Sequence, residues 1–132
     1  MSLTQNYMTT GINESYTIIG KAAADIADCR GRGFTFDATG DLKLAGAGDT
    51  VVGIGILTAG SEGGKVDKGV DITIQIKGMG RAYLGADVAA GDVLKTDANG
   101  NFIKAAASDP VIGIATKSGK QDTLGCVLFN RG

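Results

Sequence analysis

The sequence contains no histidine and no tryptophan. Without an imidazole, the commonest general base and the commonest metal ligand are missing, along with every nucleophile that depends on histidine. Two cysteines, Cys29 and Cys126, are too few and too far apart for a disulfide framework, or for a zinc site without histidine. They read as small buried thiols. Aromatic residues make up only 5% of the chain, which leaves few anchors for a ligand pocket. Charge of one sign is also scarce: 13 lysines and arginines face 14 aspartates and glutamates, with no long block of either. A phosphate-binding groove needs a basic surface, so nucleic acid is not an expected partner. The longest apolar runs, such as residues 51–57, fall far short of the ~20 residues that cross a bilayer. The first eight residues lack the basic and apolar regions of a secretory signal, so synthesis in the cytoplasm and no membrane partner are expected. Catalytic, metal-binding and cofactor-binding residues are all expected to be absent, and the chain is not expected to be an enzyme.

What the chain has in abundance is glycine: 22 of 132 residues, about 17% against a usual ~7%. Sliding the sequence over itself by 60 positions aligns residues 37–54 with 97–114 without gaps, and nine of these eighteen positions are identical. The matches include Asp37, Asp49, Val51 and Ile54 as well as glycines. The same offset lays Gly20-Lys21-Ala22 over Gly80-Arg81-Ala82, and Gly31 over Gly91. The copies therefore run from about 16 to 59 and from about 76 to 119.

Local signals within each copy are those of short strands and tight turns. Val93–Thr96 and Phe102–Lys104 flank Asn99-Gly100, a pair suited to a type I′ hairpin, and Thr39-Gly40 occupies the same place in the first copy. An aspartate, Asp49 or Asp109, then precedes a strand over 51–57 or 111–117, the second opened by Pro110, the only proline. Between the copies, 70–77 alternates apolar and polar residues as a strand with one buried face does, and 123–129 matches it in pattern. Lys21–Asp28 alone has helical propensity, and its counterpart Arg81–Val88 is weakened by Gly85. The expected fold is mostly β, a small barrel or sandwich with two pseudo-repeated halves spanning 16–132 as one domain. Residues 1–15 are expected to form an extended arm, and 60–69 a mobile loop.

Chemical motifs fail one by one. The 60–66 loop resembles a phosphate loop, but Ala59 replaces its first glycine, Val66 its hydroxyl, and a strand follows instead of a helix. Asp97–Asn101 begins like a calcium loop, with glycine at the fourth place rather than the sixth and Ser108 where the bidentate glutamate belongs. Asp49-Thr50-Val51 and Asp109-Pro110-Val111 lack the glycine that an aspartic protease dyad needs two residues on, so both aspartates read as turn residues. Gly78-Met79-Gly80 has no third glycine at Tyr83 and is not a dinucleotide fingerprint. Biotinyl and lipoyl carrier domains share two quasi-symmetric halves and turns like Gly91-Asp92, but they present a lysine at a hairpin tip that is absent here.

Taken together, Gly91–Leu94, the hairpin Asp97–Phe102, the strand 111–115 and the closing Val127-Leu128-Phe129 resemble the small glycine-rich capsid cement or head decoration proteins of tailed bacteriophages. The resemblance covers most of the chain after about residue 30. It implies a β-rich fold, a non-enzymatic role, trimers, and binding to the outside of an assembled shell of major capsid protein. That role places the protein on the virion exterior. The arm, through Leu3, Tyr7, Met8 and Ile12, is the expected capsid contact, because a polar segment with scattered apolar side chains can order itself in grooves of a partner. The alternative is a non-catalytic binding module, carbohydrate-binding or tail-associated, which would need exposed aromatic rings.

Overall fold

A computed structural model describes residues 17–56, 64–106 and 113–129. Leu3, Tyr7, Met8 and Ile12, like Asp109 and Pro110, lie outside the described residues, as do residues 60–63 of the 60–69 loop. The described chain forms ten strands: β1 (Thr17–Lys21), β2 (Gly33–Phe36), β3 (Leu42–Leu44), β4 (Gly53–Gly55), β5 (Asp71–Gln75), β6 (Gly78–Tyr83), β7 (Val93–Thr96), β8 (Phe102–Lys104), β9 (Gly113–Ala115) and β10 (Leu124–Phe129). They make two five-stranded antiparallel sheets, β1-β5-β4-β2-β3 and β6-β10-β9-β7-β8. The mostly β architecture of two halves is thus as the sequence predicts.

Strand for strand, the two sheets have the same order. Phe34 pairs with Leu44 as Leu94 does with Lys104, and Ile54 pairs with Gln75 as Ile114 does with Leu128. The strands 71–75 and 124–129, outside the copies as first aligned, occupy the same second place in their sheets. The alignment of Gly20-Lys21-Ala22 with Gly80-Arg81-Ala82 is displaced by two residues. Ala22 donates to Val70 O and Leu84 to Thr123 O, Lys21 pairs with Asp71 and Tyr83 with Leu124, so Ala22 corresponds to Leu84 and Lys21 to Tyr83. A two-residue slip leaves strand alternation unchanged, which is why the sequence pattern tolerates it. The first half makes up the difference with Ala27-Asp28, since Cys29 and Ala89 again hold equivalent turns, Arg32 N to Cys29 O and Asp92 N to Ala89 O.

Four local expectations are corrected. Lys21–Asp28 is not a helix: Ala22, Ala23 and Ile26 donate their amides to Val70, Leu42 and Val66, and the Asp25 carboxylate accepts from Lys68 N. Alanine propensity yields to these tertiary bonds and to the burial of Ala22 and Ile26. The hairpin at 97–101 is a type I turn followed by a left-handed glycine, not type I′: Gly100 alone has positive φ, and Gly100 N bonds Asp97 O. Asp97 Oδ1 accepts from Asn99 N and Asn101 N, holding the turn in this form, and Asp37 does the same for Thr39 and Asp41. The described end of the 60–69 loop is tied down, because Val66 exchanges two backbone bonds with Ile26 and is buried. Of the strands expected over 51–57 and 111–117, the described residues 51–56 and 113–117 are strand over 53–55 and 113–115.

The sheets stack one behind the other. Phe34, Leu42, Ile72 and Ile74 fill the inner face of the first sheet with Ala22, Ile26, Cys29 and Val66. Ala82, Leu84, Leu94, Phe102, Val127 and Phe129 fill that of the second, and this cluster also takes Ala45, Val51 and Ile54 from the first half. Ile54 lies on the opposite face of its sheet from Phe34 and Ile74, so the back of the first sheet closes the core of the second.

One turn differs between the halves. Gly69 (φ 86°) donates to Ala22 O, and its equivalent, Asp122 (φ 64°), donates to Leu84 O. A left-handed conformation costs an L-residue ~1–2 kcal/mol, partly offset by glycine's larger unfolded-state entropy. Asp122→Gly is expected to raise stability by about 0.5–1 kcal/mol in urea unfolding, and Gly69→Asp to lower it.

Candidate functional site

Among the charged groups near the seam between the sheets, Asp28 and Arg30 hold each other. Asp28 grips Arg30 in a fork, Nε to Oδ1 at 2.9 Å and Nη2 to Oδ2 at 2.8 Å, and accepts Arg30 N as well. That hydrogen-bonded guanidinium keeps the Asp28 carboxyl below the usual carboxylate range. Arg32 lies over the ring of Tyr83, 4.3 Å from its centre. Gln75 is buried and donates Nε2 to Lys77 O and Met79 O, fastening the link from β5 to β6. Burial pushes the Cys29 thiol up, away from the thiolate form that reacts. Asp49 accepts Gly46 N and serves its turn, as read from the sequence.

A cleft of about 350 Å³ opens at this seam, lined by Gly55, Ile56, Gln75, Arg81 and Leu124 with Arg30 at its edge. Its charges are spoken for, since Arg30 is forked by Asp28 and Arg81 reaches Leu124 O at 3.5 Å. A shallower depression of about 270 Å³, lined by Met79, Gly80, Arg81 and Cys126, continues from it onto the outer face of the second sheet.

That outer face is apolar. Met79 on β6 stands opposite Leu128 on β10, Leu128 opposite Ile114 on β9, and Ile114 opposite Val93 on β7. Exposures of 53% for Met79, 39% for Leu128 and 42% for Ile114 make this a continuous row across four strands, with exposed Leu124 further along β10. Contiguous exposed apolar side chains of this kind are a candidate contact surface. Arg81 and Cys126 extend it on the same face.

The sequence does not mark these residues as an exposed surface. The signal was present in Val127-Leu128-Phe129: a strand apolar on both faces has a second face to cover, whereas 70–77 alternates. Of the aromatic rings, Phe34, Phe102 and Phe129 are fully buried, Tyr83 is stacked beneath Arg32, and Phe36 is exposed.

No family model matches the chain, and no curated protein matches it. Among solved structures, it is similar to the head fiber gp8.5 N base of bacteriophage phi29, with a TM-score of 0.66 and 16% identity, over 89% of this chain and 96% of that one. At this identity the likeness is one of fold.

Proposed function

We propose that the chain is a structural protein of a bacteriophage virion, seated on the outside of the head, where it binds major capsid protein subunits and stabilises the shell by bridging them. The carrying observation is the fold it shares, along nearly its whole length, with a phage head fiber base. The apolar outer row and the absence of histidine fit a protein that acts through contacts rather than through a reaction. In this reading the chain is a homo-oligomer, a trimer, and several copies grip neighbouring subunits together. Later contacts are then intramolecular, and avidity exceeds single-site affinity by about 10² to 10⁴. The arm, with Leu3, Tyr7, Met8 and Ile12, supplies shell contacts, and the β domain supplies the oligomer.

A carbohydrate-binding role is disfavoured, because three of the four phenylalanine rings are in the core and Tyr83 is covered on one face by Arg32. The test is co-sedimentation with expanded, empty shells assembled from the major capsid protein of the phage that encodes the chain. Full-length protein is expected to pellet with the shells. Deleting residues 2–12 is expected to abolish pelleting and leave the oligomer intact, with the same number of chains. Full binding by the deletion variant would remove the arm from this role, and no binding by the intact chain would remove the role itself.

A further inference from the structure

We propose that the apolar outer face of the second sheet is the seat of a second copy of this chain, which docks head to tail by its first half. The position of this face in the fold carries the idea. Each half has an inner rim and an outer face, and within the chain the outer face of the first half already holds the inner rim of the second. The residues on the first half's outer face are Gly33, Ile54 and Gln75, with Ala45 and Val51 beside them, and Ile54 and Val51 are fully buried there. Their counterparts on the second half, by strand register, include half-buried Val93 and exposed Ile114 and Leu128. Among the described residues, one face of this kind is covered and nothing covers Ile114 and Leu128 on its equivalent.

The complementary surface is bare as well. The rim of the second half meets the first through Thr96, which donates Oγ1 to Gly46 O, and through the turn at Gly100, whose carbonyl accepts Gly33 N. Thr96 is 3% exposed, whereas Phe36, at the same place in the first half, is 44% exposed. The Gly100 turn is packed close to Gly33 O and Leu44, while the equivalent Gly40 turn has open space around it. Among the described residues, the first half thus carries an uncovered rim at Phe36 and the Gly40 turn and the second an uncovered face, and a second copy brings the one to the other.

Charge follows the same correspondence. Inside the chain Arg32 stacks on Tyr83, and the equivalent residues are Asp92 on the second half and Lys21 on the first. Between copies a cation–π contact becomes an acid facing a base, each of which also has a partner in its own chain, Asp92 in Lys104 and Lys21 in Asp71. The new contact is looser and more apolar than the internal one, because Val93 stands in place of Gly33 and Phe36 in place of Thr96. Both substitutions add bulk where Gly33 and Thr96 are in close approach. An interface that joins two different surfaces either closes into a ring or grows as a filament. Closure with three chains gives the trimer of the proposed function. The inference rests on the homo-oligomer part of that reading and assigns its surfaces.

Size-exclusion chromatography with light scattering on the full-length protein tests it without capsids, so a failure here is separate from a failure to bind shells. The wild type is expected to have a multiple of the chain mass. Ile114→Asp, which alters an exposed residue of the tail face, and Phe36→Asp, which alters one of the head rim, are each expected to weaken association on the order of a hundredfold while unchanged circular dichroism shows that they fold. Mixing the two variants is expected to give dimers, because one retains the rim and the other the face. A monomeric wild type, an oligomer indifferent to either substitution, or a mixture without dimers would each overturn the proposal. Loss of association on Ile114→Asp alone would point to a two-fold contact of the face with itself, and would overturn it too.

Discussion

Phe102→Ala is expected to lower stability by about 3–5 kcal/mol, and the thermal midpoint by roughly 10–20 °C. Phe102 is fully buried in the cluster that both halves build, and the tip of its ring approaches Gly33 of the first half. Removing the ring therefore opens a cavity in the second half and strips a contact from the seam between the halves. Phe102→Leu, which installs the residue found at the equivalent position 42, is expected to cost far less, about 1 kcal/mol. Calorimetry of both variants should show one transition, because Ala45, Val51 and Ile54 complete a core that belongs mostly to the other sheet. Two separate transitions would mean that the halves melt independently and that the seam contributes little.

Gly55→Ala is the second large effect, at about 3 kcal/mol or more of destabilisation in urea unfolding. A Cβ at this position would run into the Cys29 carbonyl and would lie 2.7 Å from Cε1 of Phe34. Neither neighbour can give way: Cys29 N is bonded to Gly64 O, Gly31 N to Gly55 O, and Phe34 is fully buried. The equivalent position of the second half is Ala115, buried and accommodated. The halves differ here because only the first carries the Ala27-Asp28 insertion just before Cys29. Ala115→Gly is accordingly expected to cost only about 0.5–1 kcal/mol. Equal effects at the two positions would contradict this account of the insertion.

Sequence reading reached the fold class through features that are local in origin. Alternation in 70–77 follows from one face of β5 lying in the core, and the 60-residue offset marks strands that take the same place in each sheet. It placed the hairpins but mistook the turn type, because a carboxylate at Asp97 or Asp37 that captures two amides favours a type I turn with one left-handed glycine over the mirror-image turn. It read a helix at 21–28 because propensity counts alanines and not the strands that claim their amides. The arm residues proposed as the capsid contact lie outside the described residues, and the exposed row on the second sheet went unremarked. Leu128 in a run of apolar residues looks the same in sequence whether it faces core or solvent.

The amino-acid sequence alone determined that this chain makes short strands and tight turns in two like halves, without an imidazole to do chemistry, since strand periodicity, turn residues and composition are properties of neighbours in the chain. Tertiary structure decided which faces are shared. Ile54 and Ile114 hold equivalent places in their sheets, yet one is buried and the other exposed, because the second half covers the first and nothing in the chain described here covers the second. That asymmetry comes from joining two like units within one chain, where the covering unit has no third unit of the same chain to cover its own equivalent face.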